Sequence, residues 1–189
     1  MAVARKPLQK QKQDLTEGRL AALGDIISTG WSAAGRKNAL DRLVQAGLPH
    51  PRDEYWKFTR PEALTRVEPE KAAIFTSDDA EIFEDLDRIK IVFVDGVFNA
   101  AESDDLTLSG VKIDRLADAS GADIHWAQGL YGTLEERGQD PVSRPLAAMN
   151  TAYASDGVLI HVTGKAAQPI SLIYHPTSVS ADSLFHMVN

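Results

Sequence analysis

Gly157-Val158-Leu159-Ile160-His161-Val162-Thr163-Gly164-Lys165-Ala166-Ala167-Gln168-Pro169-Ile170-Ser171-Leu172-Ile173-Tyr174 is the stretch whose reading decides the fold. It holds two runs of branched and aliphatic residues, Val158–Val162 and Ile170–Tyr174, separated by turn-prone residues. Branched side chains pack well on a pleated surface and lose rotamer freedom in a helix, so both runs read as strands. A third run, Leu184–Val188, comes next, before the chain stops at Asn189. A terminal strand leaves backbone N–H and C=O groups needing partners. The expectation is therefore a fragment, cut shortly after a β-rich region begins, whose exposed strand edge forms a homodimer.

Upstream, apolar residues at Leu20, Leu23, Ile27 and Trp31 recur near helical spacing, and Leu40, Leu43 and Val44 share a face before Gly47. The two stretches predict an α-hairpin. Pro49 and Pro51 then force an extended path into Glu54-Tyr55-Trp56-Lys57-Phe58-Thr59, three aromatics within four residues that read as a seal between neighbouring units. Short helices are expected over 61–65 and 78–86. Ile89–Val94 reads as a strand, Asp95-Gly96 as a tight turn tolerating positive φ, and Val97-Phe98 as the return. Val111, Ile113 and Leu116 suggest another strand. A helix capped by Asp123 is expected through about Arg137, with Ile124, Ala127, Tyr131 and Leu134 inward; a last one starts at Pro145 and buries Leu146, Met149 and Tyr153. The fold class expected is α+β. A helical domain spans 1–60, a mixed connecting region with a hairpin spans 61–156, and core strands occupy 157–189.

The 189 residues contain no cysteine, which excludes disulfides, thiolate catalysis and thiolate metal ligands within them. No apolar run approaches the ~20 residues that span a bilayer. Net charge is −7, unevenly placed: residues 1–60 carry 11 Lys/Arg against 6 Asp/Glu, and the remainder is acidic. The basic residues are scattered without interleaved aromatics, so they read as a solvated helical face rather than a nucleic-acid surface. His161, His175 and His186 fall in the three successive strand runs, and a stacked ladder of them could hold a metal. Their unequal separations and the lack of matching carboxylates favour ordinary strand histidines, so no metal ligand is assigned. Gly157 to Lys165 misses the phosphate-loop pattern, because six residues precede Gly164-Lys165 and Ala166 comes after. Acidic pairs such as Asp78-Asp79 and Asp104-Asp105 lie outside the strands, which argues against a carboxylate pair of the carbohydrate-active β-helix enzymes. No catalytic residue is assigned.

Four segments carry a family resemblance. Glu54, Trp56, Lys57 and Thr59 resemble the E-x-W-K-[YF]-T signature of SufD proteins in the SufB/SufD family. Asp95 and Gly96, within Ile91–Phe98, resemble that family's hairpin. Asn150, in Pro145–Ala152, and Gly157 resemble the segment leading into its β-helix, and Gln168–Leu172 resembles the P-I-x-[LI] run at the start of that β-helix. The resemblance implies an N-terminal helical domain followed by the start of a right-handed parallel β-helix. It implies a non-enzymatic, cytoplasmic subunit of the SufB–SufC–SufD complex, which assembles iron–sulfur clusters, with SufB and SufC as partners. No cofactor is expected in this stretch, and no assembly residue is carried over. A carbohydrate-active β-helix enzyme, or a weak nucleic-acid binder acting through the basic N-terminal residues, is the alternative.

Overall fold

A computed structural model describes residues 7–68, 83–133 and 143–177. The chain forms two compact units, one of residues 1–70 with 128–153 and one of residues 71–127 with 154–189.

In the first unit, α1 (Leu8–Leu23) starts earlier than the apolar spacing suggests and ends at Gly24, whose φ of 78° takes the chain out of the helix. Ile27 and Trp31 therefore lie beyond it. The buried positions of α1 are Thr16 and Arg19 rather than its leucines. Thr16 satisfies its hydroxyl both ways, donating to the Lys12 carbonyl (2.6 Å) and accepting the Leu48 N–H (2.8 Å). Helix α2 (Ala33–Ala46) stops at Gly47, where φ is 69° and the N–H reaches the Leu43 carbonyl at 2.8 Å. A short 3-10 turn (Glu54–Trp56) and α3 (Glu62–Thr65) come next.

The expected α1–α2 hairpin does not form; α2 packs chiefly on α5 (Pro145–Tyr153). The small buried side chains Ala39, Ala148 and Ala152 let the two helices approach closely. Leu43 is fully buried, whereas Val44 of the expected face is 53% exposed. Gly35 completes the packing, because a Cβ there would stand 3.0 Å from Tyr131 Cδ1 and 3.1 Å from its carbonyl oxygen. Tyr131 meets Trp31 edge to face, with centroids 5.4 Å apart, and donates its hydroxyl to the Thr151 carbonyl at 2.8 Å.

The second unit holds two small sheets. Strand β1 (Ile89–Val94) turns at Asp95 and Gly96, with φ of 47° and 82°, into β2 (Val97–Phe98). Positive φ at both turn positions is the type I′ requirement. Strand β5 (Ile170–His175) pairs with β1 in parallel, Ile89 opposite Ile170 through Val94 opposite His175. Strands β3 (Val111–Arg115) and β4 (Val158–Val162) make the other, antiparallel sheet. Ile89, Ile91 and Phe93 alternate into a core shared with Leu108, Val111, Val158 and Ile160. Gly110 lies against Lys165, whose carbonyl would be 2.3 Å from a Cβ.

The fold class is α+β. A right-handed β-helix is not shown among the described residues. The strands expected to stack as successive coils, β4 and β5, sit in different sheets of two and three strands. The reason is that each finds its apolar partner elsewhere: Tyr174 of β5 stacks on Phe93 of β1 at 5.6 Å. Leu184–Val188, His186 and Leu134 lie outside the described residues, as does most of the expected helix over 78–86. Among the described residues the helix expected from Asp123 reduces to a 3-10 turn (Trp126–Gly129), and Ile124 is 85% exposed. Gly129 and Gly132 interrupt the helical run, the latter with φ of 73°. Ala127 and Tyr131 are buried as expected. A four-residue helix, α4 (Leu116–Ala119), comes directly after β3.

Candidate functional site

The Glu54–Thr59 block follows a tight turn rather than the extended path expected from the two prolines: Pro51 and Arg52 lie inside it, and the Asp53 N–H reaches the His50 carbonyl at 2.8 Å. The carboxylate of Asp53 accepts the His50 N–H at 3.1 Å and pairs with Lys12 at 2.9 Å, which fixes the entry to the 3-10 turn. Trp56 is half-buried, and Tyr55, Trp56 and Thr59 form one wall of a groove of about 360 Å³. Ser143 and the first residues of α5, Pro145 to Ala147, form the other, with Arg144 at the rim. Glu54 and Lys57 point to solvent, and the Lys57 ammonium lies 5.1 Å from the centre of the Phe58 ring. The aromatics do not act as a simple seal. Phe58 is 92% exposed and Tyr55 73%. Asn150 is half-buried on α5. Of the eight signature positions, the groove gathers Trp56 and Thr59.

Asp95, Gly96 and Gly157 belong to the second unit. Asp95 accepts hydrogen bonds from the N–H (2.9 Å) and hydroxyl of Thr177, which hold its carboxyl below the usual carboxylate range. The Gly157 carbonyl accepts the Leu116 N–H at 2.9 Å, closing β4 onto the start of α4. Beside it stands Asp156, two residues before β4. Asp156 is buried, accepts the Phe98 N–H and the Arg115 Nη2 at 3.0 Å each on Oδ2, and accepts the Gly157 N–H at 2.9 Å on Oδ1. Its signal in the sequence was only an Asp before a Gly, the pattern of any turn.

The strand histidines do not form a ladder. His161 stacks on Trp126 at 4.7 Å, while His175 stands opposite Val94 in the other sheet. Asp114 of β3 links this aromatic pair to the sheet, accepting from Trp126 Nε1 at 3.1 Å and facing Lys112 and His125 at 3.3 Å each. Burial pushes the Asp114 carboxyl up, but the bonds from Trp126 and Lys112, with the Lys112 charge, outweigh it and leave it below the usual range. Among the described residues no group of three or more His, Asp or Glu is placed to hold a metal ion, and no helix is long and apolar enough to cross a membrane. What the first unit offers chemically is a concave, largely apolar surface with one cation, Arg144, in its lining; what the second offers is a small, hydrogen-bonded sheet scaffold.

A family model described as SufBD protein N-terminal region matches residues 27–171. No curated protein matches the chain. The matched span takes in the Glu54–Thr59 block, the Asp95-Gly96 hairpin, Asn150 and Gly157, with both walls of the groove and strands β1 to β4, and ends just inside β5. The chain belongs to the SufB/SufD family of iron–sulfur cluster assembly proteins.

Proposed function

We propose that this chain is SufD, a non-enzymatic subunit of the SufB–SufC–SufD complex that assembles iron–sulfur clusters. The observation that carries the reading is the Glu54-Tyr55-Trp56-Lys57-Phe58-Thr59 block, which resembles the SufD signature and lies within the family-matched span. Two further features support a scaffold role. The chain has no cysteine to supply a thiolate nucleophile or cluster ligand, and its buried carboxylate Asp156 is fully engaged in structural hydrogen bonds. The clusters are cargo of the complex. SufB and SufC are its partners in this reading, and the cytoplasm its compartment. The parallel β1–β5 pair supports the further reading that residues 157–189 begin a right-handed β-helix.

Complementation separates the two subunits. The gene that carries this sequence is expressed in cells lacking SufD and in cells lacking SufB, and the activity of an iron–sulfur enzyme is assayed in each. Rescue of the first strain alone is expected. Rescue of the second alone assigns the chain to SufB, and rescue of neither removes the subunit assignment.

A further inference from the structure

We propose that the groove between the Glu54–Thr59 block and the start of α5 docks an acidic peptide segment of a partner protein, which inserts one large apolar side chain. The inference concerns the groove alone and holds whichever subunit of the family the chain is.

Three observations carry it. First, the groove has the volume of a small ligand pocket, about 360 Å³, and its walls include Trp56, Leu146 and Ala147. Pockets that bind ligands run from ~300 to ~1,000 Å³ and are mostly apolar with a few polar groups. This one has room for a single anchoring side chain. Second, the surface beside it is aromatic and open to solvent: Tyr55 lines the groove, and Phe58 stands next to it almost fully exposed. Aromatics are the side chains most enriched at interface hot spots, because they bury much area for few rotatable bonds. Third, cations predominate here: Arg144 lines the groove, and Lys57 and Arg60, next in the chain to its lining residues, are exposed with it, against the exposed carboxylate of Glu54 in the same segment. The three cations form no ion pair among the described residues. The nearby Asp53 carboxylate is already paired with Lys12. An acidic segment with an apolar anchor complements both features, and its charges would steer the encounter.

The same charges do not favour a nucleic acid. Screening confines each exposed charge to roughly 8 Å at physiological ionic strength. A short acidic peptide therefore needs only the few cations beside the groove, whereas a polyanion needs a longer run of them, and the Lys/Arg of residues 1–60 are scattered along the sequence rather than clustered. A concave pocket for one side chain also differs from the open row of rings on which successive bases stack.

The test uses the whole chain and a fluorescein-labelled peptide, Glu-Asp-Glu-Phe-Glu-Asp-Glu, followed by fluorescence anisotropy. The control peptide has glycine in place of its phenylalanine. Saturable one-to-one binding is expected, at least fivefold weaker for the control peptide and at least tenfold weaker for Arg144→Glu and for Tyr55→Ser. Both substituted side chains are solvent-facing, and circular dichroism melts of the two variants check that the fold is kept. Equal binding of the two peptides, unchanged binding by both variants, or no saturation overturns the proposal. Tighter binding of a single-stranded oligothymidylate than of the peptide assigns the surface to nucleic acid instead. A concentration-dependent dimer seen by light scattering and abolished by Tyr55→Ser assigns it to a second copy of the chain.

Discussion

Arg115 Nη2 and Asp156 Oδ2 stand 3.0 Å apart, joining the last residue of β3 to the residue that leads into β4. The Asp156 side chain is 6% exposed and that of Arg115 25%, so the pair is shielded on the carboxylate side. The Arg115 guanidinium also lies 4.5 Å from the centre of the Phe98 ring, and Asp156 holds the Phe98 N–H. One carboxylate thus ties the β1–β2 hairpin to the β3–β4 sheet. Asp156→Ala strips three donors of their acceptor at once. Hydrogen bonds to charged groups are worth about 1.5–3 kcal/mol each and are not additive, so a loss of about 2–4 kcal/mol is expected. Urea unfolding followed by circular dichroism measures it; a loss under about 1 kcal/mol would show that water replaces the carboxylate at no great cost.

Gly35 and Gly121 differ in how they take a change to Ala. A helix interior prefers Ala to Gly by about 1 kcal/mol. At Gly35 that gain is opposed by the Tyr131 ring and carbonyl at 3.0 and 3.1 Å, and overpacking costs about 1–3 kcal/mol. The carbonyl is backbone and yields less readily than a side-chain tip, so Gly35→Ala is expected to lower the melting temperature. Gly121, with nothing within 4 Å of a Cβ, is expected to tolerate Ala within about 0.5 kcal/mol. A Gly35→Ala protein as stable as the parent would mean that the Tyr131 turn moves freely.

Leu43 and its neighbour Val44 separate core from surface on α2. Leu43 is fully buried, and Leu43→Ala is expected to cost about 2–5 kcal/mol through lost burial and the cavity left behind. Val44→Ala should change stability by less than about 0.5 kcal/mol, because the side chain is more than half in water. Denaturant midpoints of the two variants measured side by side decide it, and equal effects would contradict the packing of α2 on α5.

Asp114 makes stability depend on acid pH. Its carboxyl titrates lower in the folded protein than the ordinary aspartate value of ~3.9. The stabilisation it contributes is complete above that ordinary value and is lost as pH falls through the lower folded-state value. Asp114→Asn keeps an acceptor for the Trp126 N–H but removes the charge. The variant should show a shallower loss of stability below about pH 4 than the parent, read from urea midpoints across the acid range. Parallel pH profiles would exclude Asp114 as a contributor.

By itself the sequence determined the elements whose causes are local. Alternation placed β1, its Asp95-Gly96 turn and β2; Gly47 placed the end of α2; Pro145 placed the start of α5; and the two runs after Gly157 gave β4 and β5. The order of the signature segments also made the family legible. Only the tertiary structure decided what each element packs against. Helix α2 turned to α5 because Ala39, Ala148 and Ala152 permit an approach that no spacing within α2 announces. Strand β5 took β1 as its parallel neighbour because strand pairing is chosen by long-range apolar contact, such as Tyr174 on Phe93. The buried polar positions Thr16, Arg36 and Asp156 were illegible for the same reason. A polar side chain reads as surface until the distant group it bonds is in place, as the Ala152 carbonyl is for Arg36 Nη1 at 3.2 Å. The groove is of this kind too: Trp56 and Leu146 are far apart in the chain, and only the fold makes them two walls of one surface.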